Sequence, residues 1–277
     1  MDGESLLQQL PYNVFPEKDA ESVTVRQRTI LLQCLLQAGS VSFSHILRIT
    51  ERYLQLLQLH NTTPAEKAHT IDVIASYWRN HDQVLFFFLS SIIVHDIFFF
   101  LSFQFLMVLL DKWVAYKILD VESVITWVLG SKQSGLLCKS VMWDILHNAI
   151  SKMTMRTSLL RTRIDELTQE YEEHPSDDVR YKLDRAKRML TTSEKEQSQM
   201  FTTLMDRFVD LLSEHVEEGP SYDWAAGLFT DTCRKFCKDL GADSDRLQAS
   251  VFDTSPKVVY DLFTTVRPLW TAEWLHE

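Results

Sequence analysis

The stretch VLFFFLSSIIVHDIFFFLSFQFLMVLL, Val84–Leu110, holds eight of the chain's sixteen phenylalanines and no lysine, arginine, glycine or proline. Its reading decides whether the other residues belong to a membrane-anchored helical adaptor or to a soluble helical fold. A bilayer core about 30 Å thick takes about 20 apolar residues, so residues 84–110 are long enough to span it. Against a span, His95 and Asp96 stand at the middle, and a central aspartate costs about 2.5–3.5 kcal/mol. The flanks, Asp82 on one side and Asp111-Lys112 on the other, show no asymmetry of positive charge. As an ordinary core helix the stretch fares no better. FFF occurs twice, and no polar face supplies a 3.6-residue period to orient it.

Outside this stretch the composition is that of a helical globular protein. Seven glycines and seven prolines in 277 residues are too few for the many tight turns of a sandwich or a doubly wound sheet. The net charge of −10 argues against direct nucleic-acid binding, which relies on clustered Lys and Arg. Cys34, Cys138, Cys233 and Cys237 are dispersed, with no disulfide framework in their spacing. The N-terminus lacks the charged-then-apolar plan of a signal peptide, so a reducing intracellular compartment is expected.

Residues 1–22, with Pro11, Pro16 and several acids, read as a poorly ordered leader. Residues 23–277 read as a single helical domain. A first helix from Val23 stops near Gly39, a natural C-cap. Ser40–Leu59 follows, with Phe43, Ile46, Leu47, Leu54 and Leu57 on one face. Thr63-Pro64-Ala65-Glu66 is the sharpest helix start, a capping box with proline at the first helical position. That helix is predicted to run to about His81 and to bury Ile71, Ile74, Ala75 and Trp78. Two short helices meet near Asp120, and a long one begins after Gly130. Paired helices with short connections describe a HEAT-like α-helical repeat better than a four-helix bundle.

Residues 150–215 differ in kind. Met153, Thr157, Leu160, Ile164, Leu167 and Tyr171 step by four and three in alternation, as do Val179, Leu183, Ala186, Leu190, Ser193, Gln197, Met200 and Leu204. Pro175 breaks the run between them by disfavouring helical geometry at His174. Two such stripes around one turn predict a projecting antiparallel coiled-coil hairpin. Between Ser151 and Met200 there are ten basic and ten acidic residues, a balance that suits salt-bridged faces and not an RNA-binding stripe. Near the C-terminus Trp270 and Trp274 lie one turn apart and are expected to dock on the last helix.

Chemistry-bearing patterns are scarce. Cys233 and Cys237 share a helical face, but zinc needs two more ligands at suitable spacing, and His215 stands eighteen residues away. No HExxH, P-loop, GxGxxG or GxSxG occurs. His45, His81 and His147 each sit among aromatic or aliphatic helix residues and read as hydrogen-bonded packing histidines. No catalytic residue, cofactor or metal site is assigned, and partner-binding residues are not identifiable. A helical scaffold that binds proteins along its surface remains.

Four runs carry a family resemblance: SVSFSHILRITERY (40–53), SYWRNHDQV (76–84), MVLLDKWVAYKILDVESVITWVLG (107–130) and VMWDILHNAISKM (141–153). They resemble the C-terminal helical domain of the nuclear cap-binding complex large subunit, itself related to the middle domain of eukaryotic initiation factor four-G. The likeness runs from about Val23 to His215, includes the charged hairpin, and is weak beyond Glu217. It implies a non-enzymatic subunit whose small partner, an RNA-recognition-motif protein, reads the methylated cap. Capped RNA is then met only indirectly. The resemblance also implies recruitment of other mRNA-processing proteins for splicing, export and decay, including nonsense-mediated decay. It implies a nuclear location with shuttling to the cytoplasm, and it covers about the last third of such a subunit. Joining Leu85 to Met107 follows the family pattern without a gap, which marks Phe86–Leu106 as an atypical hydrophobic insertion. Phe, Leu, Ser, Ile and Val make up 18 of its 21 residues, and uridine-rich codons encode all five. A translated intron, a genuine insertion and a membrane span all stand as readings of it.

Overall fold

The structure, a computed structural model, describes residues 20–40, 42–88, 106–130, 140–215 and 220–271. The described residues are helical, with no strand among them, as the all-α helical-repeat reading expects. They fall into two compact units, Met1–Trp127 and Val128–Glu277.

In the first unit α1 (Ala20–Gly39) lies against α2 (Phe43–Arg52) and α4 (Pro64–Phe88), with α3 (Leu54–Leu59) between them in sequence. A helix α5 over residues 106–115 and α6 (Val121–Val128) follow. Leu32, Leu36, Ile46, Leu57, Ile71, Ile74, Leu109, Trp113, Val124 and Ile125 form the core. The capping box forms as read. The Glu66 amide donates to the Thr63 hydroxyl at 3.3 Å, and the Glu66 carboxylate accepts from the Thr63 and Thr62 amides at 3.0 and 2.9 Å. Its second oxygen takes Arg28 of α1 at 2.6 Å, so the same side chain that starts α4 also pins it to α1. Burial by itself would raise the Glu66 carboxyl, but these donors and Arg28 outweigh it and hold the group at about 2.

Helix α4 runs past His81 to Phe88, longer than its sequence predicts. Ile71, Ile74 and Ala75 are buried as expected, and Thr70 and Val73 join them; the side chains of Trp78 and His81 lie outside the description. Residues 1–19 and 89–105 also lie outside it, and with them most of the leader and of the 86–106 segment. The next described helix opens at Leu106, which is buried. Among the described residues no helix is long and apolar enough to cross a membrane.

Ser40–Leu59 is not one helix. It breaks at Tyr53, whose φ of −109° and ψ of 21° leave the helical range and separate α2 from α3. Gly39 ends α1, as expected, although its role differs from a left-handed cap. A Cβ there would stand 2.9 Å from Ile46 Cα and closer still to the end of that side chain, so glycine is needed for the close approach of α1 to α2. The left-handed position falls elsewhere, at Lys117, with φ 56°. The Ile118 amide reaches Trp113 O at 2.9 Å and the Lys117 amide reaches Val114 O at 3.0 Å, the paired bonds of a Schellman stop for α5. Buried Ile118 and Trp113 complete it. Lys117→Gly is expected to raise stability by about 0.5–1 kcal/mol, because the Cβ strain disappears; urea denaturation measures it, and a loss of stability contradicts this account of the turn.

The start of α6 repeats the logic of α4. Asp120 accepts from the Ser123 amide at 2.8 Å, and Lys67 pairs with the same carboxylate. Trp127 donates to Asp72 Oδ1 at 2.6 Å and Trp113 to Thr50 Oγ1 at 3.2 Å, so both of these buried indoles have a polar partner inside the first unit.

The second unit is built on two long helices, α7 (Ser140–Glu173) and α8 (Asp177–His215). After them come α9 (Pro220–Lys235), α10 (Cys237–Gly241), α11 (Ser244–Leu247), a π-helical turn Gln248–Phe252, α12 (Lys257–Val266) and α13 (Pro268–Thr271). A column of aromatic rings ties them together. Trp143 of α7 stacks on Phe208 of α8, which meets Phe229, then Phe252, then Phe263, then Trp270. Trp270 therefore docks on α12, as expected; Trp274 lies outside the described residues. A bend at Phe236 separates α9 from α10. The bend lets Gly241 approach so closely that its Cβ, if present, would stand 2.4 Å from Trp270 O.

Candidate interaction surface

The two longest helices of the second unit, α7 and α8, form a hairpin. At 1.5 Å per residue its arms are roughly 50 and 60 Å long. The turn is residues 174–176. Ser176 accepts from the Val179 amide at 3.2 Å, and Asp177 and Asp178 follow in the first turn, where a helix N-terminus favours negative charge.

The lower parts of both arms enter the aromatic core, and the upper parts pack on each other. Leu167, Val179, Leu183 and Ala186 are buried together, with Ile164 and Tyr171 packed against them. Further down, Thr157 and Ser193 are both fully buried and hydrogen-bonded at 3.0 Å. Gln197 then donates to Asp239 at 3.3 Å, tying α8 to α10. Every residue of the two sequence stripes is buried or half-buried. Arg156–Glu196 and Arg161–Glu194 cross between the arms at 3.1 and 2.9 Å. Both pairs are exposed and worth at most about 1 kcal/mol each, so apolar burial holds the shaft and the pairs select its register.

The charges on this hairpin balance in number but not in place. Residues 164–179, around the turn, carry seven acids and no Lys or Arg. Arg180, Arg185, Lys187, Arg188 and Lys195 follow on α8, all exposed. Among the described residues none of these five stands within ion-pair distance of a carboxylate, whereas Lys182 takes Asp178 at 2.5 Å. The acidic run is visible along the chain, whereas the lack of carboxylate partners for these five cations is visible only in the structure. Met155, Leu159, Tyr181 and Met189 are exposed large apolar side chains on the shaft, and the sequence stripes do not single them out.

The residues considered for chemistry are scattered. His45 is exposed on α2 and is not a packing histidine. His147 is one: it lies 5.8 Å from the Phe236 ring and 6.3 Å from Trp143, with Thr232 Oγ1 at 3.3 Å. Burial lowers its pKa, Lys235 adds to this, and Asp144 and Asp231 oppose it, leaving the imidazole at about 4 and neutral at physiological pH. Cys233 is wholly buried, and burial pushes its thiol well up, so it is a packing residue and not a nucleophile. Cys237 is half-buried across the Phe236 bend and Cys34 is exposed; Cys138 lies outside the described residues. Among the described residues no group of three or more His, Cys, Asp or Glu is placed to hold a metal ion. In the first unit an open groove of about 700 Å³ runs between α1 and α4, lined by Ile30, Gln33, Cys34, Gln37, Ala38 and Tyr77, among others.

A family model described as MIF4G like matches residues 4–102 and 98–240. The chain belongs to the MIF4G-like family. The match to the MIF4G-like model takes in the α4 capping box, the hairpin, α9 and most of α10, and so extends beyond the stretch that the sequence runs delimit. The chain is similar to nuclear cap-binding protein subunit 1-B of Xenopus laevis, 22% identical over 202 residues, which covers 68% of this chain and 23% of that protein. It is 22% identical over 229 residues to subunit 1-A of the same species, covering 76% and 26%. To nuclear cap-binding protein subunit 1 of Homo sapiens it is 23% identical over 201 residues, covering 68% and 23%. The chain spans about a quarter of the length of the curated relatives it matches.

Proposed function

We propose that this protein is a non-enzymatic helical scaffold of the nuclear cap-binding type, working through protein contacts along its helices and hairpin. The observation that carries the reading is the similarity to proteins named nuclear cap-binding protein subunit 1 over 68–76% of the chain. Its partners are a small cap-binding subunit with an RNA-recognition motif and other mRNA-processing proteins. Through them it supports splicing, export and decay of mRNA, from the nucleus and with shuttling to the cytoplasm. Residues 23–277 act in this as one helical-repeat domain, with the shaft of the hairpin as a coiled coil. The methylated cap is read by the small subunit, because cap discrimination needs two aromatic rings sandwiching the base.

The test is fluorescence anisotropy with capped and uncapped RNA of one sequence, with and without the small subunit, alongside co-elution of the two proteins. Alone, the chain is expected to bind both RNAs equally and weakly at physiological salt. Co-elution with the small subunit supports the partnership. Cap-selective binding by the chain alone, surviving raised salt, overturns the scaffold reading.

A further inference from the structure

The outward face of α8, opposite the buried seam Val179–Leu183–Ala186–Leu190, bears one row of side chains: Tyr181, Arg185, Arg188, Thr192 and Lys195. They step by four and three along the helix, so they stand one above another, and all are exposed. The row contains no acid. Asp184 borders it on one side, with Arg180 and Lys187 beyond, and none of its cations is engaged by a carboxylate among the described residues. Arg188 Nε meets only a backbone oxygen, Asp184 O, at 3.2 Å. This differs from the facing arm, where Arg156, Arg161 and Arg163 are each held by a glutamate.

We propose that this face, from Tyr181 to Lys195, binds the sugar–phosphate backbone of single-stranded RNA. The row is roughly 21 Å long at 1.5 Å per residue, the reach of several consecutive nucleotides. Guanidinium, ammonium and hydroxyl groups are the side chains that contact phosphate, and Tyr181, 62% exposed, offers a ring on which a base can stack. A partner helix is a poorer fit, since the row lacks the apolar anchors at i, i+3 and i+4 by which helices dock. The convex face encloses no base, so the binding is independent of sequence and of the cap. The seven acids around the turn repel the polyanion and confine it to the shaft. This function does not depend on the small subunit and stands apart from the scaffold role.

The experiment uses the full chain and a fluorescein-labelled oligouridylate of about 20 nucleotides. With three phosphates engaged, affinity is expected to fall about 20-fold between 50 and 200 mM salt, from a slope of about −0.7 per contact. Charge reversal at the row, Arg185→Glu with Arg188→Glu and Lys195→Glu, is expected to weaken binding at 50 mM salt at least tenfold and to flatten the salt dependence. The glutamine triple at the same positions preserves helix propensity. It is expected to lose affinity in the same direction, with far-UV circular dichroism unchanged. Tyr181→Ala weakens binding by about five- to tenfold through lost stacking. No RNA binding at 50 mM salt overturns the proposal, as does equal binding by the wild type and the glutamine triple. An oligoglutamate peptide that binds the wild type more tightly than the RNA overturns it too, and assigns the row to an acidic protein partner.

Discussion

Aspartate at both Leu167 and Leu183 is expected to melt the upper shaft of the hairpin and leave the aromatic core of the second unit folded. The two leucines are 2% and 8% exposed and belong to the same buried cluster. Each contributes about 2–3 kcal/mol of transfer free energy, and an unpaired carboxylate between the arms costs more on top. The total, about 5 kcal/mol or more, exceeds what the exposed cross-arm pairs return. Below Thr157 and Ser193 the arms are held by different contacts, the Phe208 and Phe229 rings among them, so the damage stops there. Limited trypsin digestion then cuts first at Arg161, Arg163, Arg180, Lys182 and Arg185 and leaves a resistant core. Uniform degradation of the whole chain would show that the shaft and the core fold as one; an unchanged digest would show that this seam does not hold the arms.

Acid is expected to destabilise the protein in two separable windows. His147 has its folded pKa lowered from 6.5 to about 4. Between those values the unfolded chain takes up the proton and the folded one does not, so stability falls as pH drops through the window. A full shift of this size is worth about 3 kcal/mol, and partial exposure to water reduces the expected loss to roughly 2 kcal/mol. His60, lowered chiefly by burial with Arg28 adding, acts in the same direction. Glu66 has its folded pKa lowered from 4.5 to about 2. Its contribution, reduced by the carboxylate's exposure to water to roughly 1–2 kcal/mol, is fully present above pH 4.5 and is lost as pH falls toward 2. Asp206 and Asp239, both raised by burial, oppose this by relieving their own desolvation on protonation. Urea denaturation at pH 7, 5 and 3 reads the two windows. His147→Gln is expected to shrink the difference between pH 7 and 5, and Glu66→Gln the difference between pH 5 and 3. If both variants keep the wild-type pH profile, other groups govern the acid response.

Local signals in the chain were legible wherever their physics is local. Thr63-Pro64-Ala65-Glu66 starts a helix because a hydroxyl and a carboxylate satisfy amides three residues away. Pro175 ends one because its ring acts on the residue before it. The stripes of the hairpin were legible for a related reason, since a seam between two arms joined by a three-residue turn is written in the spacing of each arm. The breaks at Tyr53 and Phe236 were not legible. Neither is a glycine or a proline, and the Phe236 bend accompanies packing elsewhere, the approach of Gly241 to Trp270 O. Gly39 shows the limit from the other side. Its position at the end of α1 was readable, while its cause, the proximity of Ile46, belongs to another helix.

The sequence by itself determined that this protein is helical, where its strongest helix ends lie, which residues line the hairpin seam, and which family it resembles. Those properties depend on periodicities of 3.5 to 3.6 residues and on caps of three or four, which any contiguous stretch displays. Only the tertiary structure decided that Glu66 joins α4 to α1, that one aromatic column runs from Trp143 to Trp270, and that the arginines of one hairpin arm are held by glutamates while the cations of the outer row of α8 are not. Hydrogen bonds, ring contacts and ion pairs between distant residues depend on distance in space, which is not a property of spacing along the chain.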